Sequence, residues 1–100
     1  MKVSNLNGTS DNVCRCGSWL NHWKNFSKQS LPDYCSVTNC NKKPEVGAHV
    51  QKDSNYDKNW YIIPICQDCN AKTYSSLEIS DYIALVSANK SETCDKVQNY

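Results

Sequence analysis

Two short cysteine pairs, Cys35 with Cys40 and Cys66 with Cys69, constrain this chain more than any other feature, with 25 residues between the inner members. Zinc takes four soft ligands in a tetrahedron, and two short pairs on facing turns supply them without distorting either element. A helix starting at the second pair would add its N-terminal dipole and amide groups, which favour thiolates. The competing readings are buried free thiols or disulfides. The start, "MKVSNLNGTSDNV", lacks the apolar segment of a signal peptide, and no run of about 18 apolar residues points to a membrane span. A soluble cytoplasmic protein is therefore expected, in a compartment where paired cysteines are more often metal ligands than disulfides. The odd total of seven cysteines also fits a disulfide framework badly. In that compartment the Asn-x-Ser/Thr matches at Asn7, Asn25 and Asn89 are chance.

Size argues for a staple as well. A chain of 100 residues makes a single domain, and one this short buries only part of its unfolded surface. Leu, Ile, Val and Phe are few, while seven Cys, six Tyr and three Trp are present, the profile of a small fold held by a metal or by disulfides. The formal charge is +1; four thiolates and one Zn²⁺ would bring it to about −1. Neither value is the electrostatic footprint of a phosphate-backbone binder, although Lys42 and Lys43 form a local basic pair.

The expected order along the chain is a polar, loose arm over 1–13, a CxC motif and helix over 14–30, a zinc core over 34–73, a helix over 75–89, and a polar tail over 90–100 that carries Cys94. Ser18 is a good N-cap, and Trp19, Trp23 and Phe26 at i, i+4 and i+7 form one face of a helix reaching about Lys28; those aromatics are read as core. "LPDY" at 31–34 turns the chain. "EVGAHV" (45–50) and "NWYIIPI" (59–65) are β-rich runs joined by a solvated loop, and together they predict a hairpin. Pro64 cannot donate to a ladder, so the second strand should lie at an edge or end there. Ser75 and Glu78 have capping-box spacing, and Ile79, Tyr82, Ile83 and Val86 follow a helical i, i+3, i+4, i+7 pattern.

Cys14, Cys16 and Cys94 remain. With His22, placed on the helix face of Trp19 and Phe26, they form the candidate ligand set of a second zinc that would tie both ends of the chain to the core. His49 is the other candidate for its fourth ligand. The bland reading leaves His22 hydrogen-bonded in the core and Cys94 a bystander.

"CSVTNCNKKPEVGAHV" followed by "NWYIIPICQDCNAKT" resembles the zinc-bound HNH endonucleases, over roughly residues 34–73. In that family a CxxxxC pair, a strand ending in Asp-His, an Asn-bearing strand and a Cys-x-x-Cys-His turn build a ββα-metal core on a treble-clef zinc site. The resemblance implies a small α+β zinc-stabilised domain with a treble-clef hairpin plus helix, to which the apolar spacing adds the N-terminal aromatic helix and a C-terminal helix. It implies His49 as general base, and a second-metal role for the residue after the last cysteine, here Asn70. An active member would use Mg²⁺ or Mn²⁺, with Asp53 or Asp57 as further candidates to help hold the ion. Ala48 stands where the family has its metal-binding Asp, Asn70 where it has the closing His, and Tyr61 where it has the orienting Asn. These departures favour a non-catalytic zinc module that binds a protein or nucleic-acid partner, near-neutral charge pointing to a protein. The alternative is a metal-dependent DNA endonuclease, and a third reading is a thiol protein using Cys14 and Cys16. A membrane partner is not expected, and the oligomeric state is left open.

Overall fold

The computed structural model describes residues 1–6, 16–53, 56–72, 76–89 and 93. Five strands, β1 (Lys2–Asn5), β2 (Val46–Lys52), β3 (Trp60–Ile65), β4 (Ser76–Glu78) and β5 (Val86–Ser87), make one antiparallel sheet in the order β4-β1-β2-β3-β5. Helix α1 (Trp19–Phe26) lies on one face, and α2 (Gln67–Asn70) is a single turn directly after β3. The expected hairpin is the middle of this sheet, with His49 opposite Ile62 and Gln51 opposite Trp60. No helix among the described residues is long and apolar enough to cross a membrane.

The register sorts the side chains. Residues two apart share a face, and cross-strand partners share it too. Gly47, His49, Ile62 and Val86 therefore face α1, while Val3, Ala48, Val50, Ile63, Ile65 and Leu77 face the other side; most of both sets are buried. Pro64 is accommodated as its chemistry requires. Ile65 turns its carbonyl to Glu45 and Pro64 turns its own to Ser36, so the N–H that proline lacks would point away from β2 and no rung is lost. Strand β5 pairs only with Tyr61 and Ile62; beyond it, Ser36 occupies the outer edge of β3.

Helix α1 begins as its sequence predicts, the Ser18 hydroxyl accepting from the Asn21 amide at 3.1 Å. It ends at Phe26, two residues short of the expected limit, because Lys28 adopts a left-handed conformation (φ 59°) that stops α-helical propagation. Trp23 is fully buried and its indole N–H donates to the Ala84 carbonyl at 2.8 Å. Phe26, expected in the core, is 40 % exposed.

Two expectations are corrected. The start of the chain is not a loose arm over 1–6: β1 is paired on both sides, by β2 and by β4, with Val3 and Asn5 fully buried. Four residues are too few to display a period, and the strand forms because both its edges find partners. The part of the expected arm over 7–13 lies outside the described residues. Nor is 76–89, the described part of the helix expected over 75–89, helical. Ser76, Leu77, Glu78 and Ile79 alternate exposed and buried, the period of a strand, and are followed by a turn and β5. The helical spacing of Ile79, Ile83 and Val86 is still a spacing of buried residues, but Tyr82 is 71 % exposed. Side chains of the α1 region satisfy the turn: Gln29 donates to the Tyr82 carbonyl at 2.7 Å and accepts from the Ala84 amide at 3.0 Å. Ser75, half of the supposed capping box, lies outside the described residues, as does Cys94 in the tail.

Gly47 is where α1 touches the sheet. A Cβ there would meet the Trp19 carbonyl carbon at 2.4 Å and the Leu20 nitrogen at 2.6 Å, backbone atoms that cannot step aside alone. Gly47→Ala is expected to lower the unfolding free energy by about 1–3 kcal/mol, the usual range for overpacking. The measurement is a urea midpoint that falls with little change in slope.

Candidate metal centre

The first cysteine pair sits on a knuckle over 35–40. The Cys35 amide donates to the Lys42 carbonyl at 2.7 Å and the Cys40 amide to the Val37 carbonyl at 3.2 Å, folding the turn back on itself. Asn39 holds the left-handed position of the turn (φ 64°), which Asn tolerates better than most residues. The second pair spans α2. Cys66 is its N-cap, the Sγ accepting from the Cys69 amide at 3.4 Å.

These elements bring the four sulfurs of Cys35, Cys40, Cys66 and Cys69 within 4.8 Å of one another, the only such group of three or more His, Cys, Asp or Glu among the described residues. The Cys40–Cys66 and Cys40–Cys69 sulfur separations are 3.8 and 3.9 Å. Sulfurs at about 2.3 Å from a tetrahedral zinc stand about 3.8 Å apart. The donor set therefore fits a tetrahedral thiophilic ion, and no described cysteine forms a disulfide.

The thiols of the centre do not ionise alike. Burial pushes the Cys35 thiol up against the pull of the Cys66 and Val37 amides. Burial, reinforced by Cys66, Cys35 and Cys40, holds Cys69 far above the ordinary thiol value. Burial also opposes a Cys66 thiolate, but the Cys69 amide and the neighbouring thiols outweigh it and bring this one group below its ordinary value. Without a cation the cluster favours thiolate at Cys66 and thiol at Cys35 and Cys69, whereas a bound divalent ion would favour thiolate at every ligating sulfur.

The centre is braced on both sides. The Ser36 amide and hydroxyl both donate to the Pro64 carbonyl, at 3.1 and 2.6 Å. Thr38 bonds Glu78, and Val37 bridges to Ile79. The knuckle thus joins the end of β3 to the extension of β4. Lys42 pairs with Asp68 across the surface. Asn5, which sequence reasoning placed in a loose arm, donates from Nδ2 to the Asn70 and Lys72 carbonyls at 2.8 and 3.3 Å, holding the end of α2 to the sheet. Nothing in "MKVSN" signals that role.

The residues implied by the endonuclease resemblance are not brought together. His49 is 4 % exposed, with the rings of Trp19 and Trp60 at centroid distances of 4.5 and 6.1 Å. It faces α1. Asn5, opposite Val50, faces the other side of the sheet, so the α2 end that it holds lies across the sheet from His49. Tyr61 is one residue out of phase with Ile62, the partner of His49, and also points away. Its hydroxyl donates to Asp57 at 2.6 Å. The Tyr61 hydroxyl and the Asn59 amide, with help from Lys52, hold the Asp57 carboxyl down at about 2; this aspartate ties the hairpin connection rather than facing His49. Asp53 accepts from Ser76.

Of the second candidate set, Cys16 and His22 are adjacent, Sγ to Nδ1 3.9 Å; Cys14 and Cys94 lie outside the described residues. Comparison with known proteins finds no matching family model, no similar curated protein and no similar solved structure.

Two outcomes are expected. Apparent binding energies of structural zinc, about 10–16 kcal/mol, rival or exceed the net stability of a small domain, about 5–15 kcal/mol. Chelation with phenanthroline, or Cys66→Ser, is therefore expected to abolish the cooperative thermal transition followed by circular dichroism. A transition unchanged by either would count against the centre. His49 supplies the second outcome. Burial, with a smaller contribution from nearby His22, lowers its pKa from 6.5 to about 4. The unfolded chain then binds that proton more readily, so the contribution of His49 is intact above pH 6.5 and fades as pH falls toward 4. Stability measured across that window should decline less steeply in His49→Gln than in the unsubstituted protein, and equal slopes would refute the assignment.

Proposed function

We propose that the chain is a zinc-stabilised module of treble-clef type that binds a protein partner and does not cut nucleic acid. The observation that carries this reading is the contrast between its two candidate centres. Four thiols surround one point at zinc spacing, whereas His49 is walled in by Trp19 and Trp60 on the face away from the end of α2. The order of parts, a cysteine knuckle, a hairpin and a helical turn starting at the second pair, supports the treble-clef description. Zinc is the ion that suits four thiolates in a tetrahedron.

Hydrolysis of a phosphodiester by the family's route needs a base that reaches water and a cation that takes up charge on the phosphate. His49 is a weak base at a pKa of about 4, Ala48 cannot supply a ligand beside it, and Tyr61 does not orient it. Ala48 has no ligating atom, and the Tyr61 hydroxyl is engaged with Asp57. Loss of metal stabilisation is worth several kcal/mol of barrier. A protein partner is favoured over nucleic acid because a formal charge of +1, before metal binding, supplies no phosphate-binding field. Exposed aromatic side chains such as Tyr34 and Tyr82, 60 and 71 % exposed, are the contact chemistry that protein interfaces favour.

The test is incubation of the metal-loaded protein with supercoiled plasmid and Mg²⁺, Mn²⁺ or Ni²⁺, followed by gel analysis. No cleavage above a buffer control is expected with any ion. Cleavage that disappears in His49→Ala would overturn the proposal and establish the endonuclease reading. A gel-shift titration with duplex DNA addresses the partner class, and retardation at moderate salt would point to nucleic acid instead.

A further inference from the structure

His22 is a fully buried histidine on α1 that the four-cysteine centre does not use. Its Nε2 lies 2.9 Å from the Ser87 carbonyl oxygen. A carbonyl only accepts, so Nε2 carries the proton, and in the neutral ring Nδ1 is left with a lone pair. That lone pair faces the sulfur of Cys16 at 3.9 Å. A backbone carbonyl fixing the tautomer, with the other nitrogen turned to a soft donor, is how metal-ligating histidines are commonly held.

The surroundings keep both donors in place. Trp19 and Phe26 stand at ring-centroid distances of 4.9 and 5.1 Å from His22. Gly17 takes a left-handed φ of 91°, which lets the chain turn back ahead of α1, and the Asn21 side chain donates to the Cys16 carbonyl at 3.2 Å. An imidazole nitrogen at about 2.0–2.1 Å and a thiolate at about 2.3 Å from one tetrahedral zinc would be about 3.6 Å apart. The observed pair is a few tenths of an ångström wider, a gap that a side-chain rotation closes.

We propose that Cys16 Sγ and His22 Nδ1 are two ligands of a second metal ion, zinc by their chemistry, separate from the four-cysteine centre. On binding, the Cys16 thiol releases its proton to solvent and the His22 ring keeps its proton on Nε2, donated to Ser87. Among the described residues no third His, Cys, Asp or Glu joins the pair.

The full chain, purified without chelators, is weighed by native mass spectrometry. The unsubstituted protein is expected to carry two zinc ions, and Cys16→Ser and His22→Gln one each. A single zinc in the unsubstituted protein, or two retained in either variant, would overturn the proposal. Cobalt titration of the unsubstituted protein keeps the test independent of variant folding. Its visible spectrum should resolve an all-thiolate component and a mixed thiolate–imidazole component, and saturation with the all-thiolate component alone would sink the idea. Failure of the four-cysteine centre would look different, as loss of the all-thiolate component with the mixed one kept.

Discussion

Four sulfur atoms held within 4.8 Å of one another are the constraint on which the rest of this structure depends. They belong to two segments distant in sequence, and the knuckle that carries one pair does more than present ligands. Ser36 bonds the carbonyl of Pro64 at the end of β3, while Val37 and Thr38 bond the continuation of β4. The same six residues therefore present sulfur to the centre and tie the β3 side of the sheet to the β4 side. A sheet whose end strands have three and two residues has little cooperative strength of its own, and the hydrogen bonds of the knuckle add to its pairing at this point.

The second organising contact is the meeting of α1 with the hairpin at Gly47. Backbone approaches backbone there because no Cβ intervenes, and the closeness lets Trp19 lie against His49 while Trp23 reaches Ala84. The consequence for chemistry is direct. A histidine that resembles a catalytic base is held in an aromatic wall, and the same burial that makes it part of the core lowers its proton affinity. Burial thus gives His49 a packing role and weakens it as a base.

Legibility in the sequence was uneven for physical reasons. The hairpin, the Ser18 cap and the α1 start were readable because each is decided by residues within one or two turns of itself. The limit set by Pro64 was readable in part: its missing donor is a local property, and β3 pairs with β5 only at Tyr61 and Ile62, yet β3 is not an edge strand, since it lies between β2 and β5. The segment over 76–89 was not. Its apolar residues satisfy a helical spacing and, over Ser76–Ile79, a strand alternation as well, and short apolar patterns carry both periods at once. What separated them was the free edge of β1 and the polar side chain of Gln29, neither of which is visible near that segment. Asn5 was unreadable for the same reason: its importance lies in two carbonyls more than sixty residues away.

By itself the sequence determined the chemistry available to the fold: four thiols in two short pairs, a hairpin between them, an aromatic helix before them, and a histidine accompanied by Ala48, Tyr61 and Asn70 where the endonucleases the sequence resembles have other residues. Those properties are local, since side-chain type and spacing settle them. Only the tertiary structure decided which groups meet. It placed His49 and the end of α2 on opposite faces of one sheet, turned the first residues into a strand between two others, and set the lone pair of His22 toward Cys16. Strand register and the closeness of α1 to Gly47 fix those meetings, and both depend on contacts between segments that lie far apart along the chain.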